Sequence, residues 1–376
     1  MIILHPLRGD NIQTKKIMKI CALIIILILF FGIIREASPY LFKPDPSSID
    51  EEIEIVEVAS GLGKPTCLTW ISSEWLLVCD THTQSILALE LSEEGFSDPI
   101  QLISNLNNPH GVLLWEDLEK QIQKIFVSQA GELISWQIIS GQSPKNWNFG
   151  ELERVIEGVA IGNHQQNAII QGPNNTLFWH SGSTCNVCEE NDERSATLIE
   201  VNPETGNYSI IATGVRNSFD GVWVPDVGYI FTDNGHDWSG ESYPPEEINL
   251  LEIGAFYGWP NVTEENPIPL GSTPPIGNYT PHSSVNGIDI RPSNSTLPGG
   301  NITLYASVFG SWNTVIPVGK EIIRIDLIED PSHPQGWGVE ITVVVEDLAT
   351  PLPLKFHPNG DLYFAEYAHG TLYKLT

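Results

Sequence analysis

The strongest constraint in this sequence is that it repeats. Six segments share one layout: a polar residue or proline opens an apolar strand, a turn rich in Pro, Gly and Asn follows, and a second strand of Leu-Tyr type comes next. They begin KPTCLTWISSEWLLVCD, NPHGVLLWED, NHQQNAIIQGPNNTLFWHSGS, RNSFDGVWVPDVGYIFTDNGHD, VNGIDIRPSNSTLPGG and PLPLKFHPNGDLYFAEY. Their openings fall near Lys64, Pro109, Asn163, Arg216, Val285 and Pro351, spaced by 45, 54, 53, 69 and 66 residues. Six units of four short strands are the pattern of an all-β fold, a six-bladed β-propeller. Alternation of polar and apolar residues alone would also suit a β-sandwich, but six copies of one layout do not follow from it. The sixth unit shows only three strands. Residues 52–58 are a natural fourth, and would close the ring by joining both ends of the propeller.

A propeller also says where to look for a site. The first strand of each blade lines the central channel, so the residues at the six openings converge at one mouth. Here these are Pro109-His110, Asn163-His164, Arg216-Asn217 and Asn286. Two imidazoles, a guanidinium and several amides in one funnel suit an anionic or polyhydroxylated ligand.

The charge pattern sharpens this. The chain carries 47 acidic and 18 basic residues, a net charge of −29. After Pro46 only 12 Lys or Arg remain against 44 acids, so that portion stands at 12 − 44 = −32. Nothing here could neutralise a run of phosphates, so a nucleic-acid partner is excluded. Arg216 is one of five Arg in that portion. Its place at a channel mouth is hard to explain as packing.

The N-terminus reads differently. Residues 20–34 are an unbroken run of apolar residues and Gly, with Lys15, Lys16 and Lys19 before it. The positive-inside rule leaves the N-terminus in the cytoplasm and sends the rest outward. No good small-x-small cleavage site follows, which favours an uncleaved anchor over a signal peptide. The expected organisation is a cytoplasmic tail (1–14), a transmembrane anchor or signal segment (15–36), an acidic, Pro-rich tether (37–51) and the propeller (52–376). The propeller is expected on the extracytoplasmic side, anchored, or secreted if the segment is cut. Six Asn-x-Ser/Thr sequons, at Asn174, Asn207, Asn261, Asn278, Asn294 and Asn301, agree with export.

Four cysteines lie outside the apolar run. A turn centred on Ser73 sets Cys67 directly opposite Cys79, within disulfide reach. Cys185 and Cys188 form a lone CNVC. Zinc would need two more soft ligands, and thioredoxin-type chemistry a βαβ context, so a structural loop disulfide is the favoured reading.

GVRNSFDGVWVP, DNGHD and PPEEINLLEIGAFYGWPNV together resemble the fourth-blade signature of the PQQ-dependent soluble aldose sugar dehydrogenases, the glucose/sorbosone dehydrogenase family. NHQQNAIIQGPNNTLFWHSGS resembles that family's catalytic-His strand, GSTCNVCEENDERSATLIEV the Cys-containing loop of its sorbosone-type branch, and GSWN its fifth blade. The resemblance implies pyrroloquinoline quinone (PQQ) over the channel mouth with Ca²⁺ bound to it, a sugar or polyol substrate and an external electron acceptor. It implies His164 as general base and Arg216 as partner of the cofactor's carboxylates or developing oxyanion. Around the cofactor it places His110, Asn163, Asn217 and Trp312, and it assigns the backbone carbonyls of Gly235 and His236 to the calcium. Three departures stand out. Thr350 and Leu352 occupy the last-blade positions where glucose-oxidising members carry two Arg. No Lys stands beside Trp312, Lys320 being the nearest. His110 stands near a usual Gln.

Two other readings compete. A propeller that has lost the cofactor would bind glycans or a protein partner. A calcium-dependent lactone hydrolase would need carboxylate and Asn side chains on a metal at the channel centre, and the openings offer almost no carboxylate. The acids Asp233, Asp237, Glu241, Glu246 and Glu247 crowd one loop, which reads as a solvated acidic loop or a second calcium site. Trp259 and Tyr257 of YGWP read as packing.

Overall fold

The computed structural model describes residues 10–376. They divide into two units, the first ending at Lys43 and the second spanning Pro44–Thr376. The first is one helix, Asp10–Leu41. Its stretch Lys16–Ile34 is long and apolar enough to cross a membrane, a test that an N-terminal signal sequence also passes. Ile20, Leu23 and Phe31 are exposed along it. Of the expected cytoplasmic tail, residues 1–9 lie outside the described residues and residues 10–14 begin the helix.

The second unit consists of six sheets of four or five strands, almost wholly antiparallel. Their innermost strands are Pro65–Trp70, Gly111–Asp117, Gln166–Gln171, Ser218–Val224, Val285–Ile290 and Pro351–Phe356. Each starts within three residues of the opening read from the repeat. Each touches the innermost strand of the next blade, and the sixth touches the first, so the ring is closed. The closing strand is Ile55–Ala59, antiparallel to Thr371–Leu375 with Ile55 opposite Leu375. The six-bladed propeller expected from the repeat is therefore the fold.

Alternation along each strand puts apolar side chains on both faces of a blade, and these fill the wedges between blades. Val222, Ile230 and Ile248 of blade four, for example, pack with Ile288, Leu304 and Ile323 of blade five. Close approach at the axis requires residues without a Cβ. On Gly287 of blade five a Cβ would stand 2.7 Å from the Leu352 carbonyl oxygen and 2.9 Å from the Leu354 nitrogen of blade six.

A second device recurs in four blades. The last residue of the second strand caps backbone N–H groups at the opening of the first. The Lys64 N–H donates to Asp80 Oδ1 at 2.8 Å, and the Asn107 N–H to Gln129 Oε1 at 2.8 Å. The N–H groups of Arg216 and Asn217 donate to the two Asp233 oxygens at 2.9 and 2.7 Å. Those of Ala349 and Thr350 donate to Glu366. These hydrogen bonds give the named backbone donors at the openings their partners and fix the openings in place.

Part of the segment expected as a tether is structured. Ser47 and Ser48 pair with Glu346 and Val345 as an added edge strand of blade five. The Ile49 N–H donates to Val344 O at 3.0 Å, and Ile53 is buried. Cys67 and Cys79 are register partners and are disulfide-bonded, as are Cys185 and Cys188.

Candidate active site at the channel mouth

The loops of blades three, four and five enclose a cavity of about 410 Å³. Blade three contributes Asn163 and His164. Blade four contributes Arg216, Asn217, Asn234, Gly235, Asp237 and Glu246, and blade five Ser284, Trp312 and Asn313 among others. Six of the eight residues assigned to catalysis, cofactor or calcium therefore line one space: Asn163, His164, Arg216, Asn217, Gly235 and Trp312. Two do not. His110 is buried further down the channel beside Thr66, Gly111 and Phe219, with Nδ1 3.0 Å from its neighbour Asn108 O. Burial there pushes its imidazole down to about 4. His236 lines a small separate cavity behind Arg216 and lies 3.2 Å from Ser239 Oγ.

His164 is oriented through one nitrogen. Its Nδ1 lies 2.8 Å from Ser183 Oγ and 3.1 Å from Ser183 O. The Ser183 hydroxyl donates its only proton to Cys185 O at 2.8 Å. Both acceptors at Nδ1 are therefore oxygens with no proton to give, so Nδ1 carries the hydrogen and Nε2 the lone pair. Burial, and then the charge of Arg216, lower this imidazole to about 3. His164 is accordingly neutral at physiological pH, with a defined tautomer.

Arg216 is buried and paired. Its Nε donates to Asn186 O at 3.2 Å and Nη1 to Asn234 O at 3.3 Å. Its Nη2 donates to Asn186 Oδ1 and to Asp237 Oδ2, both at 2.8 Å. Four of its five N–H groups are thus occupied, and burial lowers its pKa although the charges of Asp237 and Asp233 oppose this. Asp237 in turn accepts from Asn313 Nδ2 at 2.7 Å, which ties blade five to blade four. Neither Asn186 nor Ser183 nor Asp237 was expected in these roles. The one available signal was an Asn enclosed between two cysteines.

The acid-rich loop is not a uniform solvated surface. Asp233 and Glu246 are buried, and Glu246 accepts from the N–H groups of Gly235 and Ser284 at 2.8 and 2.9 Å. Burial raises both carboxyls to about 7. Glu241 is exposed and accepts from the Val315 N–H. Carboxylate does therefore reach the channel mouth, through Asp237 and Glu246. Trp259 packs, as expected, but its Nε1 also donates to Asn186 O at 3.0 Å.

The wall carries two orphan acceptors. Asn234 Oδ1 and Asn313 Oδ1 are buried without a hydrogen-bond partner. Such atoms are rare in folded proteins and suit an electropositive ligand. Glu246 and Asp237 add carboxyl oxygens to the lining of the same cavity, and oxygen donors of these types suit a hard cation. The cationic side is sparser. Thr350 and Leu352 are buried and do not line the cavity. The Lys320 stem lies against Gly310, which does, and Lys64 stands 5.4 Å over the ring of Tyr367, itself 6.1 Å from that of Phe309 on the cavity wall.

No protein-family profile matches the chain. It is 31% identical over 243 residues to a Borreliella burgdorferi protein described only as uncharacterized, matching 60% of this chain and 63% of that one, so the chain spans less than two thirds of its relative's length. Among solved structures it is similar to a calcium structure of the Trichoderma reesei carbohydrate-active enzyme family AA12, with a TM-score of 0.74 and 18% identity, over 89% of this chain and 97% of that one. The holo form of the PQQ domain of pyranose dehydrogenase from Coprinopsis cinerea gives 0.71 and 14%, over 89% and 97%. The PQQ-bound aldose sugar dehydrogenase of Streptomyces coelicolor gives 0.64 and 15%, over 89% and 98%. At these identities the likeness establishes the fold.

Proposed function

We propose that the propeller is an oxidoreductase that oxidises a hydroxyl of a sugar or polyol, using PQQ together with Ca²⁺, and that the N-terminal helix carries it to the extracytoplasmic side of a membrane. The observation that carries this reading is His164, held through Nδ1 by Ser183, in one cavity with a buried arginine. Similar folds bind PQQ in the Coprinopsis and Streptomyces proteins, and a calcium structure exists for the Trichoderma one.

The residues present fit the two groups through the cation. The orphan oxygens of Asn234 and Asn313, with Glu246 and the carbonyl of Gly235, are the candidate oxygen donors for calcium, while His236 belongs to the separate cavity behind Arg216. Arg216, Asn217, Asn163 and Trp312 would hold the anionic quinone, Arg216 through its one remaining N–H unless Asp237 lets go. When bound, PQQ supplies a two-electron hydride acceptor, which an external electron acceptor then reoxidises. His164 Nε2 takes the proton of the substrate hydroxyl as the carbon gives up its hydride, leaving a carbonyl or lactone product. Ser183 holds the ring so that Nε2 keeps its lone pair, and stabilises the imidazolium through Nδ1.

The hydrolase reading finds less support. Asn217 Oδ1 accepts from Asn167 at 3.1 Å and Asn286 Oδ1 from Asn234 at 2.9 Å, so these amide oxygens serve neighbours rather than a shared central metal. The direct test is reconstitution of the purified chain with PQQ and Ca²⁺, followed by dye reduction with a panel of aldoses and polyols. Turnover that depends on both additions is the expected result. Absence of any change in the PQQ absorbance, with no turnover, would leave a glycan- or protein-binding propeller instead.

A further inference from the structure

We infer that Asn186 is a positioning residue of this site, and that the Cys185–Cys188 disulfide holds it in place. The inference concerns the site just proposed as catalytic, but its primary readout needs neither cofactor nor substrate.

One short loop of blade three touches both central residues. At its start, Ser183 and the Cys185 carbonyl fix the tautomer of His164. One residue later, Asn186 spends its whole amide on the arginine and its acidic partner. Its backbone oxygen accepts from Arg216 Nε at 3.2 Å and from Trp259 Nε1 at 3.0 Å. Its Oδ1 accepts from Arg216 Nη2 and from the Asp237 N–H, both at 2.8 Å, and its Nδ2 donates to Asp237 O at 3.1 Å. Two of the four acceptors around the guanidinium therefore belong to Asn186. A buried guanidinium deprived of half its acceptors must turn towards others or towards water.

A surface loop of this kind has no sheet to hold it, and a crosslink closing three residues restricts it strongly. The loop disulfide is partly exposed, whereas Cys67 and Cys79 are buried between strands of blade one. A water-soluble phosphine should therefore reach the loop first, reducing its S–S bond to two thiols while the phosphine becomes the oxide. The loop then relaxes, Asn186 leaves Arg216, and the arginine loses its fixed aim at the cavity.

The test uses the full chain without cofactor. Phosphine treatment and thiol alkylation are followed by mass spectrometry, to confirm that Cys185 and Cys188 are open and that Cys67–Cys79 is intact. Arg216 is then labelled with phenylglyoxal, with Arg291 of blade five as the internal control. Opening the loop should speed labelling of Arg216 roughly tenfold, the loss of about one charged hydrogen bond, and leave Arg291 unchanged. Asn186→Ala, which removes Oδ1 but keeps the backbone oxygen, should raise labelling in the same direction with the disulfide intact, and Asn186→Asp, which keeps an acceptor for Arg216 Nη2 though it loses the Nδ2 donor, should protect better than Ala. Unchanged labelling of Arg216 in both the reduced chain and Asn186→Ala would overturn the inference. So would a parallel rise at Arg291, which signals general loosening. These outcomes stand whether or not the wild type oxidises sugars. If it does, faster labelling without any loss of turnover would also reject the positioning role.

Discussion

The Lys355 ammonium lies 2.9 Å from Asp220 Oδ2, joining blade six to blade four inside the channel. On the way it donates to Ile288 O of blade five at 3.0 Å, so three innermost strands share one cation. Burial pulls the lysine pKa down, but the charges of Asp220 and Asp289 outweigh it and the net shift is upward. Breaking one half of a buried pair leaves an uncompensated charge. Lys355→Met should therefore destabilise the propeller by about 3–5 kcal/mol. Urea denaturation measures this, and a loss no larger than that of a surface lysine would mean the pair is dispensable.

His164→Ala should lower turnover about 10²–10⁴-fold, as expected for loss of a general base, while PQQ still binds. The tautomer can be checked directly. Long-range ¹⁵N correlation should show a neutral ring with the proton on Nδ1 from pH 5 to 8, because burial and Arg216 lower its pKa to about 3. An imidazolium signal at pH 6 would contradict the lowered pKa, and a neutral ring with its proton on Nε2 would contradict the geometry around Ser183.

Stability of the cofactor-free chain should fall between pH 6.5 and 8.5. Burial raises Asp233 and Glu246 to about 7 and Glu247 to about 8. Up to those values the folded chain holds protons that the unfolded chain has released, so stability declines as pH rises. Below about 6.5 the buried His110, His164 and His180, all lowered, act in the opposite sense, because the unfolded chain binds protons first. Thermal melts in chelator should thus fall above pH 6.5, and Ca²⁺ should reduce that fall. A melting temperature that rises from pH 6.5 to 8.5 would exclude the buried-acid account.

Gly287→Ala tests the packing of the axis. The added methyl would meet the backbone of blade six, which cannot swing aside as a side chain can. A cost of about 1–3 kcal/mol is expected from such overpacking. A neutral substitution, read by the urea midpoint at constant slope, would show that neighbouring inner strands have room to part.

The ring was legible because every blade repeats one local code. Polar-apolar alternation, turn chemistry and strand spacing all point to the same unit, and the residues before Lys64 leave one strand over to close it. The Cys67–Cys79 register followed from strand geometry alone. His164 and Arg216 were legible because channel openings must converge. Asn186 was not, since its role depends on where a crosslinked loop lands against the loops of blade four. Asp233 was misread for a different reason. VCD, VSQ, FTD and FAE each end a second strand with a capping acid or amide, yet crowding with other acids suggested a solvated loop. His110 stood at the right opening, but its ring turns down the channel towards Phe219, 6.4 Å away between centroids.

The join between Ile55–Ala59 and Thr371–Leu375 is the place where the circle can come undone, for no loop connects those two strands. It belongs to blade six, and no residue lining the cavity does. The clasp and the workshop are thus in different parts of the wheel, so momentary fraying at the one need not disturb alignment in the other.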